Sequence, residues 1–301
     1  MTERRYVLMT AARNEDAYIG KTLESVVTQT VLPKRWIIVS DGSRDHTDEI
    51  VGDYAARYPF ITLIRRDGDK ERNFGSKVRA LSAAYSELKR EECDYVGVLD
   101  ADVSFDRNYF ESLFECFDTN PQLGIGGGVL YELQKGRYEK VATSEDWSVS
   151  GPIQTFLRKC YDDIGEYRPV RRGIDAVAEV MARQKGYQVR AFPALKVIHH
   201  RKTGSQGMTL WKTSFALGAQ DYRLGYDFFF FAARCCRFFG EFPMAPFVMM
   251  AGYCWSLLRW QDWAVPEDFV RYLRREQRSR LWRAIFSRRS DSGLRKGAAT
   301  L

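Results

Sequence analysis

The sequence has no apolar stretch of the roughly 20 residues that a helix needs to cross a bilayer. A charge-free run at positions 242–258 has only 17 residues, and Pro243 and Pro246 lie near its start. A full membrane span therefore stays an alternative, while a half-inserted or interfacial helix is the better prediction.

Cys-x-x-Cys motifs are also missing, and no amino-terminal signal peptide is visible. None of the six cysteines shows the Cys-x-x-Cys spacing of redox or zinc motifs, and most lie among apolar residues, so we expect reduced core thiols in a cytoplasmic protein. The chain enters a strand-like run at Tyr6 after a short polar start, and we expect no signal peptide. The glycine-rich run at 124–128 opens no helix, so it is not a dinucleotide-binding fingerprint.

The net positive charge of the chain comes from its carboxyl-terminal quarter. Residues 234–301 hold 13 basic and 6 acidic residues, which accounts for the whole net charge of +7. Arginines alternate there with aromatic and apolar residues, and residues 269–286 resemble a basic amphipathic helix. This mixture favours an anionic membrane surface over nucleic acid as the partner. The alternatives are a solvated tail or a helical pair packed on the rest of the protein.

The first hundred residues alternate between apolar strands and amphipathic helices. Short loops between them predict an α/β fold with a doubly wound, mostly parallel sheet and helices on both faces. Further along, we predict helices at 153–161 and 174–185 and late strands at 187–192 and 195–198. The strands of the first half are expected at positions 6–11, 36–39, 61–64 and 95–99.

Acidic residues follow several of these strands. Asp100 and Asp102 end the apolar run 95–99, and residues two apart at a strand end point the same way. Two adjacent carboxylates are commonly neutralised by a hard divalent cation, which prefers oxygen ligands. The simpler alternative is a cap for the next helix. Ligands of doubly wound sheets bind at the carboxyl ends of the strands, where Asp41 follows the second one.

Four segments, taken in order, resemble the inverting glycosyltransferases of family 2, which have the GT-A fold. The likeness covers roughly residues 5–200. It rests on the segments 7–15, 37–47, 75–81 and 98–102. The resemblance implies transfer of a sugar from a nucleotide donor, expected to be a UDP-sugar. It also implies Mg²⁺ or Mn²⁺ as the cofactor.

The resemblance assigns roles to individual positions. Asp102 would bind the metal ion, and His199, with His200 as the alternative, would reach the metal or the diphosphate. The residues implied in binding the donor are Ala11, Arg13, Asn14, Glu15, Asp41, Arg72, Lys77, Asp100 and Ala101.

Inversion requires a base for the acceptor hydroxyl. Relatives supply it from a Glu-Asp pair at the start of a helix. The matching aspartate here is Asp175, although Ile174 replaces the glutamate. Other candidates for the base are the aspartates Asp146, Asp162 and Asp163.

We therefore expect a catalytic domain at 1–225 and a hydrophobic, basic helical region at 226–301. The acceptor is predicted to be lipid-linked or a polysaccharide, and the location the cytoplasmic face of the cell membrane. Two alternatives are a sugar-nucleotide nucleotidyltransferase and a non-catalytic membrane adaptor that only binds nucleotide. The first is disfavoured because residues 10–15 contain no glycine, whereas such enzymes open with a glycine-rich loop.

Overall fold

A computed structural model describes residues 4–68, 74–134, 136–141, 146–201, 210–236 and 243–296. The chain divides into two compact units, Met1–Ser205 and Gln206–Leu301. The sequence predicted a boundary between residues 225 and 226, which would place the helix at 210–223 in the catalytic domain. In the structure this helix belongs to the second unit.

The first unit begins with four strands that pair in parallel in the order β3-β2-β1-β4. Strands β1 and β4 are almost wholly buried, as their mainly apolar sequences, charged only at Asp100, predict for central parallel strands. The elements of this half are β1 (Tyr6–Ala12), α1 (Ile19–Val27), β2 (Arg35–Asp41), α2 (Thr47–Arg57), β3 (Ile61–Arg66), α3 (Phe74–Leu88) and β4 (Tyr95–Asp100).

The second half of the sheet departs from the prediction of a mostly parallel arrangement. Among the described residues, four strand pairs are parallel and four are antiparallel, so the sheet is mixed. Its order continues as β4-β8-β6-β9-β5, with β7 paired to β6. The later elements are β5 (Val103–Phe105), α4 (Tyr109–Asp118), β6 (Leu123–Gln134), β7 (Arg137–Lys140), β8 (Ile153–Leu157), α5 (Arg158–Ile164), α6 (Ile174–Gln184) and β9 (Gln188–His199).

The helix predicted at 153–161 is wrong in its first half. Residues Ile153–Leu157 form β8, which lies between β4 and β6 and is antiparallel to both. A short uncharged run does not distinguish a buried strand from a buried helix turn by periodicity alone. The polar side chains of Gln154 and Thr155 are fully buried within the sheet.

The glycines of β6 allow neighbouring backbone to approach closely. A Cβ on Gly127 would lie 2.4 Å from the carbonyl oxygen of Ile153, and one on Gly128 would lie 2.3 Å from that of Leu195. Both distances are shorter than any relaxed contact, so these positions require glycine for packing.

We expect Gly127→Ala to lower the free energy of unfolding by about 1–3 kcal/mol, because the added methyl group overpacks the β6–β8 contact. The matched control is Gly20→Ala in α1, where nothing lies within 4 Å of the new Cβ. That substitution should raise stability by about 0.5–1 kcal/mol through the lower flexibility of alanine. Urea unfolding of both variants measures the difference. Equal stability of the two variants would contradict the packing described.

The described residues of the second unit form four helices, and two of these helices touch through glycine. A Cβ on Gly218 would lie 1.8 Å from the carbonyl oxygen of Met249, and one on Gly252 would lie 2.1 Å from that of Phe215. No helix among the described residues is long and apolar enough to cross a membrane. The helices are α7 (Leu210–Arg223), α8 (Phe228–Cys235), α9 (Ala245–Leu258) and α10 (Glu267–Lys296).

Candidate active site

Strands β1, β2 and β4 are parallel neighbours, so their carboxyl ends meet at one edge of the sheet. Ala11 in β1 lies opposite Val39 on one side and opposite Asp100 on the other. Ala101, between the two aspartates, is buried. The polar residues that follow these three strands therefore surround one region.

The segment after β1 is fastened to the segment after β2. The backbone N–H of Asn14 donates to Oγ of Ser43 over 3.2 Å, and that of Glu15 donates to Oγ1 of Thr47 over 2.7 Å. Nη1 of Arg13 lies 4.0 Å from a carboxylate oxygen of Asp41, which is itself buried. Asp41 and Arg13 therefore face each other across the ends of β1 and β2.

Asp102 lies in the turn between β4 and β5 and is buried. Its Oδ2 is 3.5 Å from Nε of Arg201, whose guanidinium also bonds to Glu15. Burial alone would raise the pKa of the Asp102 carboxyl, but His199, Arg201 and Lys77 outweigh it and hold the pKa below the usual range. Asp102 is therefore an anion in a largely enclosed position.

His199, at the end of β9, contacts two carboxylates. Its Nε2 is 3.5 Å from Oδ1 of Asp102, and its Nδ1 is 2.9 Å from Oε1 of Glu132. Burial alone would lower the pKa of this imidazole. The two carboxylates have the larger effect and raise the pKa to about 9. His200 instead bonds to Ser104 over 2.8 Å, so His199 is the histidine that faces Asp102.

Lys77, in α3, connects the aspartates to the region of the expected base. Its ammonium group donates to Asp100. Burial would lower its pKa, but the charges of Asp100, Asp175 and Asp102 outweigh this and raise the pKa. Asp175 stands in the first turn of α6 and packs against Gly151, where an added Cβ would lie 2.8 Å from Oδ2. Three carboxylates thus share the field of one lysine.

The side chains at this edge fit a divalent cation in part. Oδ1 of Asp102 is buried and accepts no short hydrogen bond, since its contact with Nε2 of His199 is 3.5 Å long, and it is an anionic oxygen of the kind that Mg²⁺ and Mn²⁺ prefer. Asp102 would hold such an ion, with His199 beside it. In the described part of the chain, no group of three or more His, Cys, Asp or Glu side chains is placed so that it could hold a metal ion.

The structure brings most of the expected site residues to this edge, while Arg72 lies outside the described residues. The other candidates for the base have different surroundings. Asp162 accepts from Tyr85 and Arg158, Asp163 accepts from Lys159 and Tyr187, and Asp146 is exposed. Those brought together are Ala11, Arg13, Asn14, Glu15, Asp41, Lys77, Asp100, Ala101, Asp102, Asp175 and His199.

Sequence reasoning missed two charged residues of this site. Arg201 follows directly on the two histidines, so its position beside a predicted ligand was a usable signal. Glu132 is buried in β6 and bonds to His199, but a single glutamate in a glycine-rich strand gives no such signal. Its role depends on the pairing of β6 with β9, which only the fold supplies.

Comparison with known families decides the assignment. The family model for glycosyl transferase family 2 matches residues 8–177, which is more than half of the chain. The chain belongs to this family. The match includes most of β1, Asp41, Asp100, Asp102 and Asp175, while His199 and Arg201 lie beyond its end.

Curated relatives and solved structures agree with the family. The chain is 32% identical over 145 residues to the poly-beta-1,6-N-acetyl-D-glucosamine synthase of Staphylococcus epidermidis, which covers 48% of this chain and 33% of that protein. The Staphylococcus aureus enzyme of the same name is 31% identical over the same length. The chain thus spans about a third of the length of the curated relatives it matches.

The fold is that of a GT-A-like glycosyltransferase. The structure of the mannosyltransferase PcManGT from Pyrobaculum calidifontis, in complex with GDP-Man and Mn²⁺, superposes with a TM-score of 0.56 at 15% identity, covering 99% of this chain and 81% of that chain. GalNAc-T7 with UDP, GalNAc and Mn²⁺ gives a TM-score of 0.53 at 15% identity, covering 68% and 45%.

The buried carboxyl group of Glu179 provides a test of how burial shifts a pKa in this protein. Glu179 in α6 accepts from the backbone N–H of Val149 over 2.6 Å and from Ser148 over 3.1 Å. Burial raises its pKa from the ordinary 4.5 to about 7. Between those two values the folded state keeps a proton that the unfolded chain has lost, so stability falls as pH rises through about 7.

We expect Glu179→Gln to remove this part of the pH dependence, because the amide stays neutral at every pH while its oxygen still accepts from Val149. Urea unfolding of the variant and the wild type at pH 5, 6, 7 and 8 measures it. Glu87→Gln, an exposed carboxylate on α3, is the control and should follow the wild type. A wild-type slope in the Glu179 variant would contradict a raised pKa at this residue.

Proposed function

We propose that this family 2 glycosyltransferase moves a sugar from a nucleotide-diphosphate sugar to a lipid-linked or polysaccharide acceptor, with inversion at the anomeric carbon. The observation that carries the proposal is the convergence of Asp41, Asp100 and Asp102 at the ends of β2 and β4, with Asp175 within the electrostatic field of the same lysine.

The donor would lie across the ends of β1 and β2. The carboxylate of Asp41 can accept from a base N–H, and Glu15 can accept from a ribose hydroxyl. Arg13, held beside Asp41, restricts where the base fits. A UDP-sugar is the donor we expect.

The diphosphate would lie nearer Asp102. When bound there, Mg²⁺ or Mn²⁺ would neutralise the negative charge of the diphosphate. Asp102 would hold the ion, and Lys77 and Arg201 supply two further positive charges at this edge. Positive charge favours departure of the nucleoside diphosphate, which is already a good leaving group, so no protein acid is needed.

Asp175 would act as the base. In a single displacement, the acceptor oxygen forms a bond to the anomeric carbon on the face opposite the diphosphate. The bond from that carbon to the diphosphate oxygen breaks as this happens. The hydroxyl proton passes to the Asp175 carboxylate, and the electron pair of the broken bond leaves with the nucleoside diphosphate.

The acceptor class follows from the relatives and from the charge of the chain. The staphylococcal relatives are named as synthases of a polysaccharide, and residues 234–301 carry the whole net positive charge. A location at the cytoplasmic face of the cell membrane, peripheral or shallowly inserted, would bring the enzyme to a lipid-linked acceptor.

A panel of nucleotide sugars tests the proposal. The chain is incubated with UDP- and GDP-linked sugars and Mn²⁺ or Mg²⁺, and thermal shift and release of nucleoside diphosphate are recorded. A ligand that binds only the folded state raises the melting temperature, so one donor should stabilise the chain above the others. Pyrophosphate release from a nucleoside triphosphate would instead indicate a nucleotidyltransferase. Nucleotide binding with no transfer to any acceptor would indicate an adaptor.

A further inference from the structure

We propose that Gly151 is a positioning residue for the Asp175 carboxylate, and that the buried Glu179 keeps Gly151 in place. The inference deepens the proposed function and rests on it, because Asp175 is the base in that proposal. The backbone concerned is that of residues 148–152, called the 148–152 segment below. It leads directly into β8, which begins at Ile153.

One end of the 148–152 segment is bound to the donor end of the sheet. The carbonyl of Pro152 accepts a hydrogen bond from the backbone N–H of Asp100 over 3.0 Å. The next residue, Ile153, pairs with Leu99 in β4. Asp100 is one of the acidic residues proposed to bind the donor. The segment therefore has a fixed position relative to the donor site.

The same segment packs directly on Asp175. The three atoms nearest to a Cβ built on Gly151 all belong to Asp175, at 2.8 Å for Oδ2, 3.1 Å for Cγ and 3.2 Å for Cβ. The carboxyl group thus occupies the space that a side chain at position 151 would take. The φ angle of Gly151 lies outside the left-handed region, so the backbone conformation does not require glycine there. The contact with Asp175 is what requires it.

Glu179 fastens the 148–152 segment to α6. It lies one turn after Asp175 on that helix and is only 2% exposed. Its carboxyl group accepts from the backbone N–H of Val149 over 2.6 Å and from the hydroxyl of Ser148 over 3.1 Å. A buried donor that loses its acceptor costs free energy, so these bonds hold the backbone in one place. The helix that carries the base therefore also holds the segment that packs on the base.

Two further buried polar groups strengthen this connection. Nε2 of Gln154 donates to the carbonyl of Val149 over 3.0 Å and lies 3.4 Å from Oε1 of Glu179. The hydroxyl of Tyr167 donates to Oε1 of Gln154 over 2.5 Å. Buried polar networks with satisfied members make a structure rigid. This network explains why β8 carries a fully buried glutamine, and it places that rigidity next to the base.

The position of a base matters here because the displacement is in line. The base has to meet the acceptor hydroxyl on the face of the sugar opposite the diphosphate, and a misplacement of about 1 Å can cost about 100-fold in rate. Asp175 is only half-buried, so an acceptor can approach it. Pro152 is fixed to Asp100, and its neighbour packs on the base. The 148–152 segment therefore sets the separation between donor site and base.

The variant Gly151→Ala tests the contact. Because the nearest atoms belong to a side chain, the added methyl group should turn the Asp175 carboxylate aside without unfolding the chain. We expect kcat to fall about 10- to 100-fold. The donor dissociation constant should not change, since the proposed donor contacts lie at β1, β2 and β4. The donor used is the nucleotide sugar of the panel that gives the fastest release of nucleoside diphosphate, and thermal-shift titration measures its binding.

The matched control is Gly52→Ala in α2, where nothing lies within 4 Å of the new Cβ. It should transfer sugar like the wild type. In the Asp175→Asn background, Gly151→Ala should change kcat by less than about twofold, because the group that it displaces no longer acts as a base. An equal loss of kcat in both backgrounds would show a general structural effect and overturn the inference, as would normal kcat in Gly151→Ala.

Variants of Glu179 test the second half of the inference. Glu179→Ala removes the acceptor of Val149 and should lower kcat at least about tenfold with unchanged donor binding. Glu179→Gln keeps an oxygen for that N–H and should restore kcat to near the wild-type value. A Glu179→Gln variant as slow as Glu179→Ala would overturn the positioning role. If Glu179→Ala does not fold, the Gln variant is compared with the wild type, and a tenfold loss of kcat overturns that role.

Thermal melting separates this inference from the proposed function, since it requires no turnover. Gly151→Ala should lower the melting temperature by about 1–3 °C in the wild type, because Asp175 must leave its preferred rotamer. The same substitution should cause no loss in the Asp175→Ala background. The same loss in both would overturn the contact. Coupled melting with no sugar transfer by the wild type would keep the contact but remove the proposed function and, with it, the positioning role. Slow transfer by Asp175→Asn with normal transfer by Gly151→Ala would keep the function and overturn this inference.

Discussion

Replacing Asp102 with Asn should lower kcat/KM for sugar transfer by about 10²–10³-fold, the range seen when one electrostatic contact to a transition state is removed. The carboxylate is buried between His199 and Arg201, and one of its oxygens accepts no short hydrogen bond. The amide keeps the shape of the side chain but removes the negative charge that would hold a divalent cation. Initial rates at several Mn²⁺ concentrations measure the loss.

The control for this substitution is Asp106→Asn, an exposed carboxylate four residues further along the chain. It should leave the rate and the Mn²⁺ dependence unchanged. Both variants must melt like the wild type for the comparison to hold. Normal turnover by the Asp102 variant, at the same Mn²⁺ concentration as the wild type, would refute the role given to Asp102.

Asp175→Asn should reduce kcat by about 10²–10⁴-fold, the contribution of a positioned general base. Binding of the nucleotide sugar should stay close to that of the wild type, because the proposed donor contacts lie at β1, β2 and β4. The expected signature is therefore a large loss in kcat with little change in the donor dissociation constant. Single-turnover rates and a thermal-shift titration measure the two quantities separately.

Asp146→Asn is the matched control for the base. It is an exposed aspartate close in sequence to Gly151, against which Asp175 packs. It should transfer sugar at the wild-type rate. A loss of kcat in the Asp146 variant, with normal transfer by the Asp175 variant, would assign the base to Asp146 instead.

The parallel half of the sheet could be predicted from sequence because each strand there is an uncharged run followed by an amphipathic helix. Once that order is given, the meeting of Asp41 and Asp100 at one edge follows from the geometry of parallel strands. The strand register agrees, with Ala11 opposite Asp100.

The antiparallel half could not be predicted in the same way. Residues 153–157 contain one glutamine and one threonine among apolar residues, a pattern that fits a buried strand or a helix turn equally. These residues form a strand because they pair with β4 and β6, and both of these partners are distant in sequence.

The internal charge balance of the site was also beyond sequence reasoning. Arg201 contacts both Asp102 and Glu15, and Glu15 lies 186 positions before it in the chain. Lys77 interacts electrostatically with both Asp100 and Asp175. The resemblance assigns Arg13 and Lys77 together with the aspartates, whereas Arg201 and Glu132 were missed. The contacts of these two residues with Asp102 and His199 follow from how distant segments pack in the fold.

Photo-crosslinking tests the central claim most directly, namely that the ends of β1, β2 and β4 form the donor site. A nucleotide sugar with a photoreactive base, identified from the donor panel, is irradiated with the chain and Mn²⁺, and the labelled peptides are mapped by mass spectrometry. The label should fall on residues near Arg13 and Asp41 and be lost with excess unlabelled donor. Competed labelling of the groove between α4 and residues 192–196, with none near Arg13 or Asp41, would contradict the account.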